Sequence, residues 1–284
     1  MSEAFVLGAV AYDAKVVTIW DGFQRWFAQA SFDFDYVLFT NYERLVEAQF
    51  RGEVDVAWNS PLAWLESERL AARLGRSARA VAMRDSDQDL TSVILVRADS
   101  AIHTVDDLRG RRIAVGADDS PQATILPLLH LAERGLEPHR DFDVIVHDVL
   151  SGKHGDHVGG ERDAVRALIA GDADAACVLD ANALGFVRDG TVHEGALRMV
   201  AETAPYDHCN FTVLDRTDEA KVARFTELLL GMRYDDPAVR PLMDLEGLKQ
   251  WRPGRLSGYA PLARALDRFH TVDAWLDRAA ARLA

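Results

Sequence analysis

Two stretches built on one pattern decide how this chain folds: Leu45 to Ser60, LVEAQFRGEVDVAWNS, and Ala164 to Asp180, AVRALIAGDADAACVLD. Each reads as an amphipathic helix, a glycine, acidic residues and a short apolar strand. Gly52-Glu53-Val54-Asp55-Val56-Ala57 matches Gly171-Asp172-Ala173-Asp174-Ala175-Ala176 almost position for position. Glycine suits the left-handed turn that ends a helix, where any other residue meets a Cβ clash. The apolar run that follows is typical of a strand covered on both faces. The copies stand about 120 residues apart, beyond the roughly 20–50 residue period of a solenoid. They imply two α/β lobes of similar design. Each copy delivers polar residues just past a strand's carboxyl end: Asn59 and Ser60 in the first, Asp180 and Asn182 in the second. Ligands of open α/β sheets bind at such places.

Outward from the repeats, strands are expected at 5–12, 34–39, 54–58, 78–83 and 91–96, then at 112–115, 143–147, 197–201 and 210–214. Val16, Ile19, Trp20, Phe23 and Phe27 recur at helical spacing within 15–30. Asn41 is placed to cap the first repeat's helix, and Pro61 suits the first turn of a helix over 62–74. Further helices are expected at 123–134, 219–232, 237–243, 259–269 and 272–283. Strands alternating with helices imply largely parallel sheets, and two such series imply two of them. The long strands 91–96 and 210–214 are the expected crossings. The expected fold is therefore α/β, two Rossmann-like lobes joined by a two-strand hinge. Residues 1–96 and 206–284 form the first lobe and 97–205 an inserted second one.

Bulk properties bound the function. The 284 residues are 49% hydrophobic and 27% charged, with a net charge of −13 and a pI near 5.1. That balance argues against nucleic acid or an anionic membrane surface as partner. A small anion stays open, because helix N-termini bind anions without net positive charge. No window approaches the 18 or so apolar residues of a membrane span, so no membrane insertion is expected. Met1-Ser2-Glu3-Ala4 runs straight into a strand, with no basic region and no cleavage signal. As written, the chain is expected in the cytoplasm, and outside it if a leader has been trimmed. Cys177 and Cys209 make no disulfide framework, and Cys177 reads as inert packing.

The order of motifs resembles the type 2 periplasmic-binding-protein fold. Gly-Glu-x-Asp-x-Ala is followed by Asn59-Ser60-Pro61, then by Asp107-Leu108-Arg109-Gly110-Arg111-Arg112-Ile113-Ala114-Val115-Gly116. Gly171 to Cys177 with Asp180, Glu202 to Asp207, and Leu242 to Leu248 with Tyr259 resemble the phosphate/phosphonate branch of ABC-transporter solute receptors. The resemblance spans nearly the whole chain. It implies an anion held at a helix N-terminus by a hydroxyl run, which falls on Ser120-Pro121-Gln122, and by a histidine, which falls on or beside Arg162. Two of the three hydroxyls and the histidine are replaced here. Arg162 is then the expected bidentate anion contact.

The candidate ligand residues are Tyr12, Asn59, Ser60, Ser120, Gln122, Thr124, Arg162, Asp180, Asn182 and Tyr206. For most of them the plain alternative is capping or turn polarity. The glycine- and histidine-rich stretch Ser151 to Glu161 is expected to be a lid. No cofactor and no metal are expected. If a metal binds, His154, His157 and His208 are its candidates, with Asp156 and Cys209 near them. The leading expectation is a solute-binding protein closing on a small anionic or zwitterionic molecule, with a transporter permease as partner if exported. A cytosolic enzyme on the same fold is the second reading, with His208, His157, His154 and Asp207 as acid/base groups. A cytosolic ligand sensor is the third.

Overall fold

A computed structural model describes residues 4–155 and 159–284. The chain divides into two compact units, 1–88 with 207–284, and 89–206. In the first, β1 (Phe5–Val10), α1 (Lys15–Gln29), β2 (Phe34–Phe39), α2 (Tyr42–Phe50), β3 (Val56–Asn59), α3 (Pro61–Arg73) and β4 (Ala78–Arg84) follow in order. The second holds β5 (Ser92–Arg97), β6 (Arg112–Val115), α4 (Leu126–Ala132), β7 (Asp143–Val146), α5 (Gly159–Ala170), β8 (Ala175–Leu179), α6 (Asp180–Arg188) and β9 (Leu197–Glu202). The chain then returns to the first unit with β10 (Asn210–Leu214), α7 (Glu219–Leu230), α8 (Arg240–Glu246), β11 (Trp251–Pro253), α9 (Ala260–Phe269) and α10 (Asp273–Leu283). The short edge strand β11 lies where only helices were expected.

The first unit's sheet runs β11-β4-β10-β3-β1-β2 and the second's β7-β6-β8-β5-β9. Both are mixed. β10 is antiparallel to β3 and β4, and β5 is antiparallel to β8 and β9. These two strands are the ones expected to cross between lobes. Each instead lies inside one sheet, so the boundary falls before residue 89 and not after 96. The reason is where the chain enters. β5 begins at Ser92 opposite Leu179, the carboxyl end of β8, and β10 begins at Asn210 opposite Asn59, the carboxyl end of β3. A strand entering a sheet at its carboxyl edge must run against its neighbours. The passages themselves are short: Leu90 and Tyr206 exchange backbone bonds of 2.8 Å in the second unit, and the His208 N–H donates to the Asp87 carbonyl at 2.8 Å in the first.

The repeat is recovered atom for atom. Gly52 and Gly171 sit at φ +77° and +84°. The following N–H of Glu53 reaches back to the Ala48 carbonyl at 3.0 Å, and that of Asp172 to Ala167 at 2.9 Å, closing each helix. The second acid of each copy then clamps the neighbouring strand. Asp55 accepts from the Val6 N–H at 2.7 Å and returns its own N–H to the Val6 carbonyl at 2.8 Å. Asp174 does the same with Arg112, at 2.9 and 2.8 Å. The acids therefore set the register of β3 on β1 and of β8 on β6. A hydrogen bond to a charged group contributes roughly 1.5–3 kcal/mol, so Asp55→Ala and Asp174→Ala should each lower stability by about that amount in urea titrations.

Core packing follows the expected faces. Val16, Ile19, Trp20, Phe23 and Phe27 are the buried residues of α1. They join Phe5, Phe34, Phe211, Phe225 and Trp251 in one aromatic-rich core. The central strands of the second sheet are buried on both faces, by Val165, Leu168 and Phe186 on one side and Leu108, Leu131 and Leu136 on the other. Burial pushes the Cys177 thiol up to about 12, which leaves it unreactive.

Candidate functional sites at the carboxyl edges of the two sheets

In the first unit, Tyr12 lies past β1, half-buried against the core, with the Lys15 ammonium 5.6 Å from its ring centre. Asn59 ends β3 fully buried. Its amide donates to Ser67 Oγ at 3.2 Å, while its Oδ1 has no donor among the described residues. Ser60 caps α3, accepting from the Ala63 N–H at 3.1 Å. Across the register from Asn59, Asn210 donates to the Tyr259 hydroxyl at 2.8 Å, which donates to the His208 carbonyl at 2.8 Å.

Beside these stands a buried ionic cluster whose charged members Arg84, Asp87 and Glu246 were not among the candidates read from the sequence. Arg84 Nε donates to Asp87 Oδ2 at 2.6 Å and Nη2 to Oδ1 at 2.8 Å. Nη1 reaches Glu246 Oε1 at 3.2 Å and its carbonyl at 2.9 Å. The guanidinium also lies over the Trp58 ring, 5.1 Å from its centre. His208 Nδ1 is 3.5 Å from Asp87 Oδ1 and 3.1 Å from Cys209 Sγ. The expected acid/base pair His208–Asp207 is not formed. Asp207 is fully buried and held by Arg255, whose Nε donates to Oδ2 at 2.6 Å. Arg255 takes up the Asp207 carboxylate, and His208 meets Asp87 instead.

In the second unit, β6 leads into a turn at Ser120. Ser120 Oγ accepts from the Ala123 N–H at 3.2 Å, and its carbonyl accepts from Thr124 and Ile125 at 3.1 and 3.0 Å. The helix expected over 123–134 thus opens as one wide π-turn, Pro121–Ile125. Pro127 explains it: without an N–H it cannot serve the Ala123 carbonyl, which takes the Gly116 N–H at 3.3 Å instead. The Thr124 hydroxyl donates to the Ala117 carbonyl at 2.8 Å, and the Gln122 amide to the Gly155 carbonyl at 2.6 Å. Two donors remain. The Ser120 hydroxyl proton is not consumed by its capping bond, and the Gln122 main-chain N–H has no acceptor among the described residues.

The expected lid begins over this turn. Gly155, at φ +76°, packs so closely that a Cβ would fall 2.6 Å from Gln122 Nε2 and closer still to Ser120 Oγ. His154 is buried, at φ +50°. Asp156 and His157 lie outside the described residues.

Three expected ligand residues are occupied otherwise. Tyr206 is buried, its hydroxyl 2.7 Å from Ser92 Oγ, which donates to the Gln122 carbonyl at 2.6 Å. It braces the turn from behind, and burial pushes its phenol well above the ordinary value. Arg162 donates to Asp189 Oδ2 at 2.7 Å and to Thr191, over the Phe186 ring at 4.7 Å. The aromatic face and the acid together draw it into that structural role. Asn182 donates to Glu161 Oε2 at 3.0 Å, which also accepts from the Leu179 N–H at 2.9 Å. Asp180 is exposed at the first position of α6, where its charge complements the helix dipole. Glu161, buried beside the helix start, was passed over in the sequence. Its signal was an acid directly after Gly159-Gly160.

Known proteins place the chain. Residues 9–259 match the family described as ABC transporter, phosphonate, periplasmic substrate-binding protein. PhnD1 from Prochlorococcus marinus, solved with methylphosphonate, shares 15% identity at a TM-score of 0.69, covering 94% of this chain and 98% of its own. XAC2383 from Xanthomonas citri, solved with ATP, shares 19% identity at 0.68 over 99% and 98%. The aliphatic sulphonate binding protein SsuA from Escherichia coli shares 16% at 0.58 over 96% and 89%. The family match covers most of the chain and the two α/β units fit it: this chain belongs to the phosphonate ABC-transporter substrate-binding protein family, with the type 2 periplasmic-binding-protein fold.

Proposed function

We propose that this protein binds a small tetrahedral oxyanion of the phosphonate or sulfonate class, with the turn at Ser120 as its anion seat. The observation that carries this reading is the pair of buried donors left over there, the Ser120 hydroxyl and the Gln122 N–H. Backbone amides and a hydroxyl at a helix start suit an anion in a protein of net charge −13. Methylphosphonate, ATP and sulphonates, named with the similar structures, all carry such oxyanions. Closure of the lobes on the ligand belongs to the same reading and rests on family membership alone. A transporter permease is the partner where the chain is exported. A cytoplasmic location would remove that partner and leave ligand binding intact.

The test is thermal unfolding with methylphosphonate, inorganic phosphate, an alkanesulfonate and acetate. A ligand at a hundred times its Kd adds about 2.7 kcal/mol of stability. One of the first three should do so, and acetate should not. Ser120→Asp preserves the cap but sets a carboxylate at the seat, so its fold should persist and its response vanish. An undiminished response in Ser120→Asp would remove the seat from the turn, and no response to any oxyanion would sink the ligand class.

A further inference from the structure

The start of β10 carries a cluster that anion binding does not use. His208 Nδ1 lies 3.1 Å from Cys209 Sγ and 3.5 Å from Asp87 Oδ1, and the three ligand atoms all lie within 4.8 Å of one another. Asp87 and Cys209 are 2% exposed and His208 9%. A nucleophilic relay would need the acid and the thiol on different ring nitrogens. Here both face the same one, so the arrangement does not suit a relay. It does suit three ligands converging on a point. With Zn–N near 2.0 Å and Zn–S near 2.3 Å, tetrahedral ligand atoms stand roughly 3.3–3.8 Å apart.

We propose that Asp87, His208 and Cys209 form a divalent metal site suited to Zn2+, open at its fourth position. The donor set decides the metal. A thiolate and an imidazole select Zn2+ over Mg2+ or Ca2+, which require oxygen cages. The backbone holds the ligands before any metal arrives: the His208 N–H bonds the Asp87 carbonyl, and the Tyr259 hydroxyl bonds the His208 carbonyl, both at 2.8 Å. Arg84 grips the Asp87 carboxylate but leaves further lone pairs on Oδ1. Its charge is also answered by Glu246, which weakens its repulsion of a cation across Asp87. Binding converts the Cys209 thiol to thiolate, and its proton goes to solvent.

The experiment is titration of the full-length, chelator-treated protein with Zn2+ and with Co2+. One equivalent should bind, with proton release, and Co2+ should show thiolate-to-metal charge-transfer absorption. Cys209→Ser should abolish that absorption. Both Cys209→Ser and His208→Gln should weaken Zn2+ binding by roughly a hundredfold or more, at least the upper end for losing a supporting partner. Cys177→Ser, in the other unit, should change neither, and all three variants should keep the wild-type unfolding transition. Charge-transfer absorption that survives Cys209→Ser, Co2+ bound without such absorption, or no binding at micromolar Zn2+ would each overturn the site. None of these outcomes depends on which oxyanion the protein takes.

Discussion

Asp87→Asn is expected to lower the unfolding free energy by about 3–5 kcal/mol, the range for breaking a buried ion pair from one side. The variant keeps the shape of the side chain and removes its charge. Arg84 is then left with Glu246 as its carboxylate, which should hold the loss toward the lower end. The effect has a pH signature. Burial alone would raise the Asp87 carboxyl, but the Arg84 charge and its two hydrogen bonds, helped by His208, outweigh it and hold the group down to about 2. A carboxyl lowered on folding stabilises the native state above its unfolded pKa near 4. That stability drains away as pH falls toward the folded value. The gap between wild type and Asp87→Asn should therefore be flat above about pH 5 and shrink by roughly 2 kcal/mol between pH 4 and 2. Urea titrations at several pH values read this directly. A gap under about 1 kcal/mol at neutral pH would show that Arg84 does not depend on Asp87.

Phe225→Ala is expected to cost a similar about 3–5 kcal/mol, for a different reason. Phe225 is fully buried on α7. Its ring centre lies 5.1 Å from Phe5 and Phe211, 5.5 Å from Phe27, 6.3 Å from Phe34 and 6.4 Å from Phe32. Truncation forfeits the transfer free energy of the ring and leaves a cavity walled by five stiff aromatics, which cannot collapse into it. If the two units unfold separately, the shift should be confined to the transition that contains the first unit. Calorimetry would show one displaced peak. A loss below about 2 kcal/mol would mean that the aromatic wall relaxes into the space.

Much of the architecture was legible because it rests on local chemistry. Gly52 and Gly171 announce left-handed turns, Asn41 announces a cap and Pro61 a helix start, and the apolar spacing of α1 names its buried face. Topology was less legible. Nothing in 91–96 or 210–214 says that these strands lie inside a sheet and run against their neighbours. That follows from the edge at which the chain enters, which is a property of the whole path.

The candidate sites divide along the same line. Ser120 and Gln122 were legible as candidates because a polar residue after a strand and before a helix has few other places to go. The partners of Arg162 were not legible, because long side chains choose partners in space, and Phe186 and Asp189 come within reach only after α6 has folded beside α5. Asp207 and Asp87 exchanged roles for a related reason. Asp207, next to His208 in sequence, is held by Arg255, and the acid that meets the histidine comes from 121 positions earlier.

By itself, then, the sequence determined the repeated helix–glycine–acid–strand unit, the two-lobed α/β class and the family, since each motif depends on residues a few positions apart and the rest on the order of such motifs along the chain. Only the tertiary structure decided which charged side chains face each other. Burial makes an unpaired charge costly, so Arg84, Asp87, Asp207 and Arg255 had to find partners, and chain topology alone determined which partners lay within reach.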